Sequence, residues 1–117
     1  KVLLIENARI SKTPVISCMD VCDKLDPSRL EIADISRTTV CPVAKVMKME
    51  LRKRGIRKLK VLYSRERPTK EKLFRRNRTA VKQPMEGNIS FVLGTAGNLL
   101  AGEVARDILA AGTTLRS

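Results

Sequence analysis

Apolar residues recur along the chain with a spacing that changes several times. Val2, Leu3, Ile5, Ala8 and Ile10 fall at near-helical intervals and predict the back half of a helix over 1–11. Thr13-Pro14 stops it, because the residue before a proline is pushed out of the helical region. Val15 and Ile16 predict a short buried strand. Residues 17–29 then read as a polar connection closing on the turn signal Asp26-Pro27-Ser28. From Leu30 to Ile35 apolar positions alternate around Glu31 and Asp34, predicting a second strand with an irregularity near Ala33.

A helix opens at Cys41-Pro42, with proline at the first helical position, where its missing N–H costs nothing, and Thr39 nearby as a cap. Val43, Val46, Met47 and Leu51 form its predicted inner face, and Lys45, Lys48, Arg52 and Lys53 its outer ones. Gly55 ends it as a left-handed cap, with basic residues in the last turn where the helix dipole favours them. Leu59, Val61 and Tyr63 predict a third strand, and Asn88–Val92 a fourth. Gly94–Ala111 predict a long helix. Its small residues Gly94, Gly97, Ala101 and Ala105 suit close packing on a sheet, and Glu103, Arg106 and Asp107 mark its wet side.

Strands alternating with helices give an α/β reading of about four strands and three helices in a mixed sheet. At 117 residues there is room for one domain, whose core must be aliphatic, since Trp is absent and there are one Tyr and two Phe. The first residue, Lys1, lies inside an apolar run, so 1–117 read as a single partial domain, a piece of a longer chain. No apolar run approaches the length of a membrane span, which leads to the expectation of a cytoplasmic protein with no membrane partner. Three cysteines with no secretory context read as reduced thiols. With no His, imidazole catalysis is excluded, and the spacing Cys18-x3-Cys22 with Cys41 is a poor zinc signature, so no metal site is expected.

Charge sharpens the picture. Residues 41–82 carry sixteen basic and three acidic side chains, while both flanks are close to neutral, giving +12 for the whole chain. Such asymmetry is the footprint of a polyanionic partner. The candidate RNA-binding residues are Arg52, Lys53, Arg54, Arg57 and Lys58, followed by Arg65, Arg67, Arg75, Arg76 and Arg78 in a basic flexible loop over 64–86. Phe74 is the loop's one stacking candidate, so contact with RNA should fall on phosphates rather than bases.

The segments KTPVISCMDVCDKLDPSRLEIADISRTTVCPVAKVMKMELRKRGIRKLKVLYS and GNISFVLGTAGNLLAGEVARDILA resemble the C-terminal half of the ATP-dependent tRNA threonylcarbamoyladenosine dehydratases. These are ubiquitin-activating-like adenylating enzymes, of the superfamily that also serves thiamine and molybdopterin synthesis. The resemblance rests on the K-L-D-P turn, A-D-I-S, the P-x-A-K helix start, L-R-K-R-G-I, the strand ending in Y-S, and I-S-F-V. It implies part of a Rossmann-like adenylating fold, with ATP and Mg bound through a preceding half and tRNA as partner in a homodimer. The implied reaction activates the carboxylate of threonylcarbamoyladenosine as an acyl-adenylate and closes a ring with release of AMP. Lys1 matches a basic residue near the nucleotide site. Cys18, Asp20, Cys22 and Asp26 fall in the substrate loop, where bulk and charge replace the family's glycines. No catalytic residue is identified. Two other readings stay open: a non-catalytic nucleic-acid-binding module, and an adenylase activating a ubiquitin-like or sulfur-carrier protein.

Overall fold

The structure, a computed structural model, describes residues 1–21, 24–39, 41–67 and 90–116. Three strands, β1 (Ile16–Cys18), β2 (Leu30–Asp34) and β3 (Lys60–Ser64), join in the order β1-β3-β2. β1 runs parallel to β3, with Ser17 opposite Val61. β2 runs antiparallel to it, with Ile32 opposite Leu62. As the central strand, β3 is buried at Val61, Leu62, Tyr63 and Ser64 without alternation. That is the pattern of a strand covered on both faces.

Helices supply both covers. On one face α1 (Val2–Ile10) and α2 (Pro42–Lys53) enclose Val61 and Tyr63 with Ile5, Ile35, Ala44, Met47 and Leu51. On the other, α3 (Ser90–Arg116) sets Val92 and Ala96 on Leu62 and Val21. Burying a side chain such as Leu51 or Leu62 stabilises the fold by roughly 1.5–3 kcal/mol. The mixed α/β class holds, with three strands and three helices among the described residues.

Several details differ from expectation. Ser90–Val92, expected in a fourth strand, form the first turn of α3. Val92 and Ala96 stand one turn apart and meet the same core, while Phe91 points out, which is helical and not alternating burial. The helix packs through Val92, Ala96, Leu99 and Leu100, whereas Gly94, Gly97, Ala101 and Ala105 lie outside. The larger side chains bury more apolar area, so that ridge takes the inner face. β2 pairs continuously through Ala33, opposite Val61, with no bulge. Val46 is 60% exposed, because α2 turns Ala44, Met47 and Leu51 inward and leaves position 46 well round the helix from them. The cap of α2 is Cys41, whose Sγ accepts from the Ala44 N–H at 3.5 Å, and not Thr39. Gly55 does hold a left-handed backbone, at φ 74°. The basic loop beyond residue 67, with Arg75, Arg76 and Arg78, lies outside the described residues, as does Cys22.

Candidate functional site

Parallel β1 and β3 share a carboxyl edge, where open α/β sheets place their ligands. α1 begins there, since the Lys1 Nζ donates to the carbonyl of Cys18 at 2.5 Å. The chain leaves β1 through Met19, whose N–H donates to the Leu62 carbonyl at 2.8 Å. Met19 and Val21 are buried, and they turn the loop back over the sheet. Lys1, Cys18 and Asp20 therefore do gather at one edge.

Cys18 is half-buried. Burial raises its thiol pKa above the ordinary value, against the lowering pull of Lys1, while Asp20 and Cys41 raise it further. A thiol held protonated in this way is a poor nucleophile. Cys41 caps α2. Asp26 belongs to a turn: its Oδ1 accepts from the N–H of Ser28 at 3.0 Å and from its hydroxyl at 2.6 Å. Those bonds hold its carboxyl below the usual range.

The residue that organises this edge was not among those singled out from the sequence. Glu66, just past β3, accepts from the Leu25 N–H at 3.0 Å and the Asp26 N–H at 3.0 Å. Its own carbonyl accepts from the buried Lys24 Nζ at 3.1 Å, and its N–H donates to Ser64 Oγ. Arg65 completes the join by donating its N–H to the Arg29 carbonyl at 2.8 Å. The end of the connection after β1 is thus tied to the exit of β3 by one carboxylate. The signal available was a lone acid between two arginines, Arg65-Glu66-Arg67.

The basic residues do not form one patch. Arg65 and Arg67 leave β3 at the carboxyl edge, whereas Arg54–Leu59 lead into its amino end. Five strand residues separate the two groups by about 15 Å. Within the second group, Lys53 pairs with Glu50 at 3.3 Å, and Arg54 with Glu6 at 2.8 Å and Glu50 at 3.6 Å. Lys60 is held by Glu103 and Asp107 on α3, which raise its pKa. Arg52, Arg57 and Lys58 have no ion pair among the described residues, and all three are exposed. Asp34 organises this end as Glu66 does the other. It accepts from the N–H and hydroxyl of Ser36 and from the Leu59 N–H at 3.0 Å, and these hydrogen bonds lower its pKa.

Among the described residues, no three Cys, Asp or Glu side chains gather as a metal site, and with Asp26 turned to Ser28 this edge offers Mg no cluster of its own. The chain also contains no Gly-rich phosphate loop. No described helix is long and apolar enough to cross a membrane.

No model of a protein family matches the chain. It is 36% identical over 118 residues to a tRNA threonylcarbamoyladenosine dehydratase of Bacillus subtilis, covering 93% of this chain and 46% of that protein. It is 45% identical over 67 residues to tRNA threonylcarbamoyladenosine dehydratase 1 of Saccharomyces cerevisiae, covering 56% of this chain and 16% of that one. The fold matches crystal structures of the Escherichia coli tRNA N6-threonylcarbamoyladenosine dehydratase. The complex with AMP gives a TM-score of 0.77 at 17% identity, over 97% of this chain and 45% of that one. The complex with ATP gives 0.76. The chain thus spans about half the length of the Bacillus and Escherichia proteins, and corresponds to the C-terminal part of the larger protein.

Proposed function

From a chain related over nearly its whole length to the C-terminal part of tRNA threonylcarbamoyladenosine dehydratases, we propose that it serves the same reaction, as the substrate-side part of a tRNA-modifying enzyme. In that reaction the carboxylate of threonylcarbamoyladenosine attacks the α-phosphate of ATP and expels pyrophosphate. Ring closure then breaks the acyl-phosphate bond and releases AMP. The observation carrying this reading is the 36% identity over 93% of the chain, coupled with a substrate loop fixed at the ligand edge of the sheet.

The roles of this chain's own residues follow from their places. Glu66 and Lys24 hold residues 24–26 beside the exit of β3, so that this end of the connection after β1 presents fixed backbone groups to the substrate. Lys1 fastens the start of α1 to that loop and brings a positive charge to the edge where the nucleotide would lie. Phosphate binding itself falls to a preceding half, and ATP with Mg enters through it. Arg65 and Arg67 face tRNA near the reacting base, and Arg52, Arg57 and Lys58 form the second part of the RNA-binding set, while Lys53 and Arg54 are taken up by Glu50 and Glu6. The homodimer and the cytoplasmic setting implied by the resemblance complete the reading.

The test uses the whole protein that carries this chain, mixed with ATP and tRNA bearing threonylcarbamoyladenosine. AMP release together with a nucleoside lighter by one water is the expected result. Tight tRNA binding with no AMP would favour the non-catalytic module instead. AMP formation that depends on a small protein carrier, with the tRNA unchanged, would favour the third reading.

A further inference from the structure

We propose that one flank of α2 is a docking surface for the phosphate backbone of RNA, built by Lys45, Lys48, Arg52, Arg57 and Ser36. The inference rests on the reading that the substrate is a tRNA, and it says where that tRNA is gripped. Lys45, Lys48 and Arg52 are spaced by three and four residues, so they form one stripe along the helix. Seven residues at 1.5 Å rise make the stripe about 10 Å long, enough to meet successive phosphates of one strand.

Arg57 comes to the same place from the loop before β3. With Lys48, Arg52 and Ser36 it lines a cleft of about 80 Å³, floored by Ile35, Leu51 and Ile56. The cleft has three cations and a hydroxyl at its wall and no carboxylate. Lys48 is steadied there by donating to the Thr38 carbonyl at 3.2 Å. None of the four cations has an ion pair among the described residues. The acids nearby are engaged elsewhere. Glu50 sits on the other flank of α2 with Lys53 and Arg54, and Asp34 is bonded to Ser36 and Leu59.

An uncompensated row of cations over a cleft has a strong electrostatic claim on phosphate. No aromatic side chain lines the cleft, so bases have nothing to stack on and the contact reads no sequence. The cleft lies toward the amino end of β3, and the stripe runs from it along α2 toward Cys41, whose charge is felt by Cys18 at the carboxyl edge. A strand laid along the stripe would therefore lead toward the edge where the modified base would lie.

Binding of tRNA to the whole protein, measured across a salt series, tests this. The variant K45Q/R52Q/R57Q removes three exposed cations and leaves Lys48 and the core in place. Loss of three phosphate contacts should flatten the log–log salt slope by about 2–3 and weaken binding roughly 100-fold near 0.15 M salt. The charge-preserving R52K/R57K should keep the slope, and thermal melting should show both variants folded. Wild-type slope in the triple variant would overturn the docking surface and leave the tRNA reading standing. Absence of tRNA binding by the wild type would overturn that reading itself. If polyglutamate competes with tRNA as strongly as a nonspecific RNA of equal charge, the surface suits an acidic protein and the assignment to RNA fails.

Discussion

The two ends of the central strand are built alike and equipped differently. At the carboxyl edge Glu66 gathers the backbone N–H groups of Leu25 and Asp26, and at the amino edge Asp34 gathers those of Ser36 and Leu59. Each uses one carboxylate to join two segments distant in sequence. Around Glu66 the neighbouring basic groups are drawn into the join, with Lys24 bonded to the Glu66 carbonyl and Arg29 to that of Arg65. Around Asp34 a surplus is left, because Arg52 and Arg57 face outward with no acid opposite. The same element of local chemistry therefore joins residues 24–26 to the strand at one end, where Arg65 and Arg67 stay exposed, and at the other leaves cations grouped over a cleft. What differs is whether the remaining cations line a common concave surface.

The comparison breaks most visibly if Glu66 is removed. Glu66→Ala leaves the Leu25 and Asp26 N–H groups to water. It also releases the Leu25–Asp26 end of the connection after β1. Hydrogen bonds to a charged acceptor contribute about 1.5–3 kcal/mol in protected settings, and the solvent exposure of these two lowers the expectation to about 1–3 kcal/mol for the set. Denaturant unfolding reads the stability change, and hydrogen exchange at Leu25 and Asp26 shows whether it is local. Glu66→Gln, which keeps an acceptor, should recover part of the loss. Exchange at Leu25 and Asp26 unchanged in Glu66→Ala would mean that the loop is held by Met19 and Val21 alone.

Much of this architecture is readable from residues, and the gaps have physical causes. Pro42 and Gly55 bracket α2 correctly, because one lacks the N–H that a helix start does not need and the other accepts a positive φ. Asp26-Pro27-Ser28 announces its turn. Asp34-Ile35-Ser36 carries the same Asp-x-Ser signature and makes the same 3-10 turn, yet the strand alternation running into it hides the signal. Glu66 is invisible locally, since its partners lie about forty residues earlier and only the pairing of β2 with β3 brings them near. The sequence also counts cations without sorting them. A five-residue strand sends Arg65 and Arg57 to opposite ends, and four acids from α1, α2 and α3 neutralise neighbours that look equally free on paper.

A smaller effect reports on the Asp34 join through pH. Hydrogen bonds from Ser36 and Leu59 hold Asp34 below the ordinary carboxylate pKa of 3.8. A group depressed in the folded state stabilises the fold above its unfolded pKa and loses that contribution as pH falls through the folded one. Acidification below about 4 should therefore weaken the wild type more steeply than Asp34→Asn, which cannot titrate. Near neutral pH the Asn variant should cost about 1 kcal/mol, since it keeps one acceptor oxygen and gives up the charge. The alkaline side runs the other way. Lys60 is raised by Asp107 and Glu103, and Tyr63 by burial and Glu31, so both contribute below their unfolded pKa values and cease to as pH rises. Tyr63→Phe should then flatten the alkaline limb and leave the acid limb as it is. Urea midpoints across pH, for the wild type and both variants, separate the limbs.

The smallest expected effect is the sharpest on the cationic surface. Lys53 is next to Arg52 in sequence and was read with it as one RNA-binding run. Its side chain is 68% exposed and pairs with Glu50, on the opposite flank of α2 from the stripe. An exposed pair of this kind contributes about 0–1 kcal/mol, so Lys53→Gln should leave stability nearly untouched. It should also leave the salt slope of tRNA binding close to wild type, because Glu50 already offsets that charge locally. Arg52→Gln, one residue away, should lower the slope by about 0.7–0.9. Net charge falls by one unit in each case, so any general attraction of a basic protein for RNA predicts the same loss from both. A difference between these neighbours would mean that what binds is an arrangement of unpaired cations, and equal losses would reduce the surface to bulk charge.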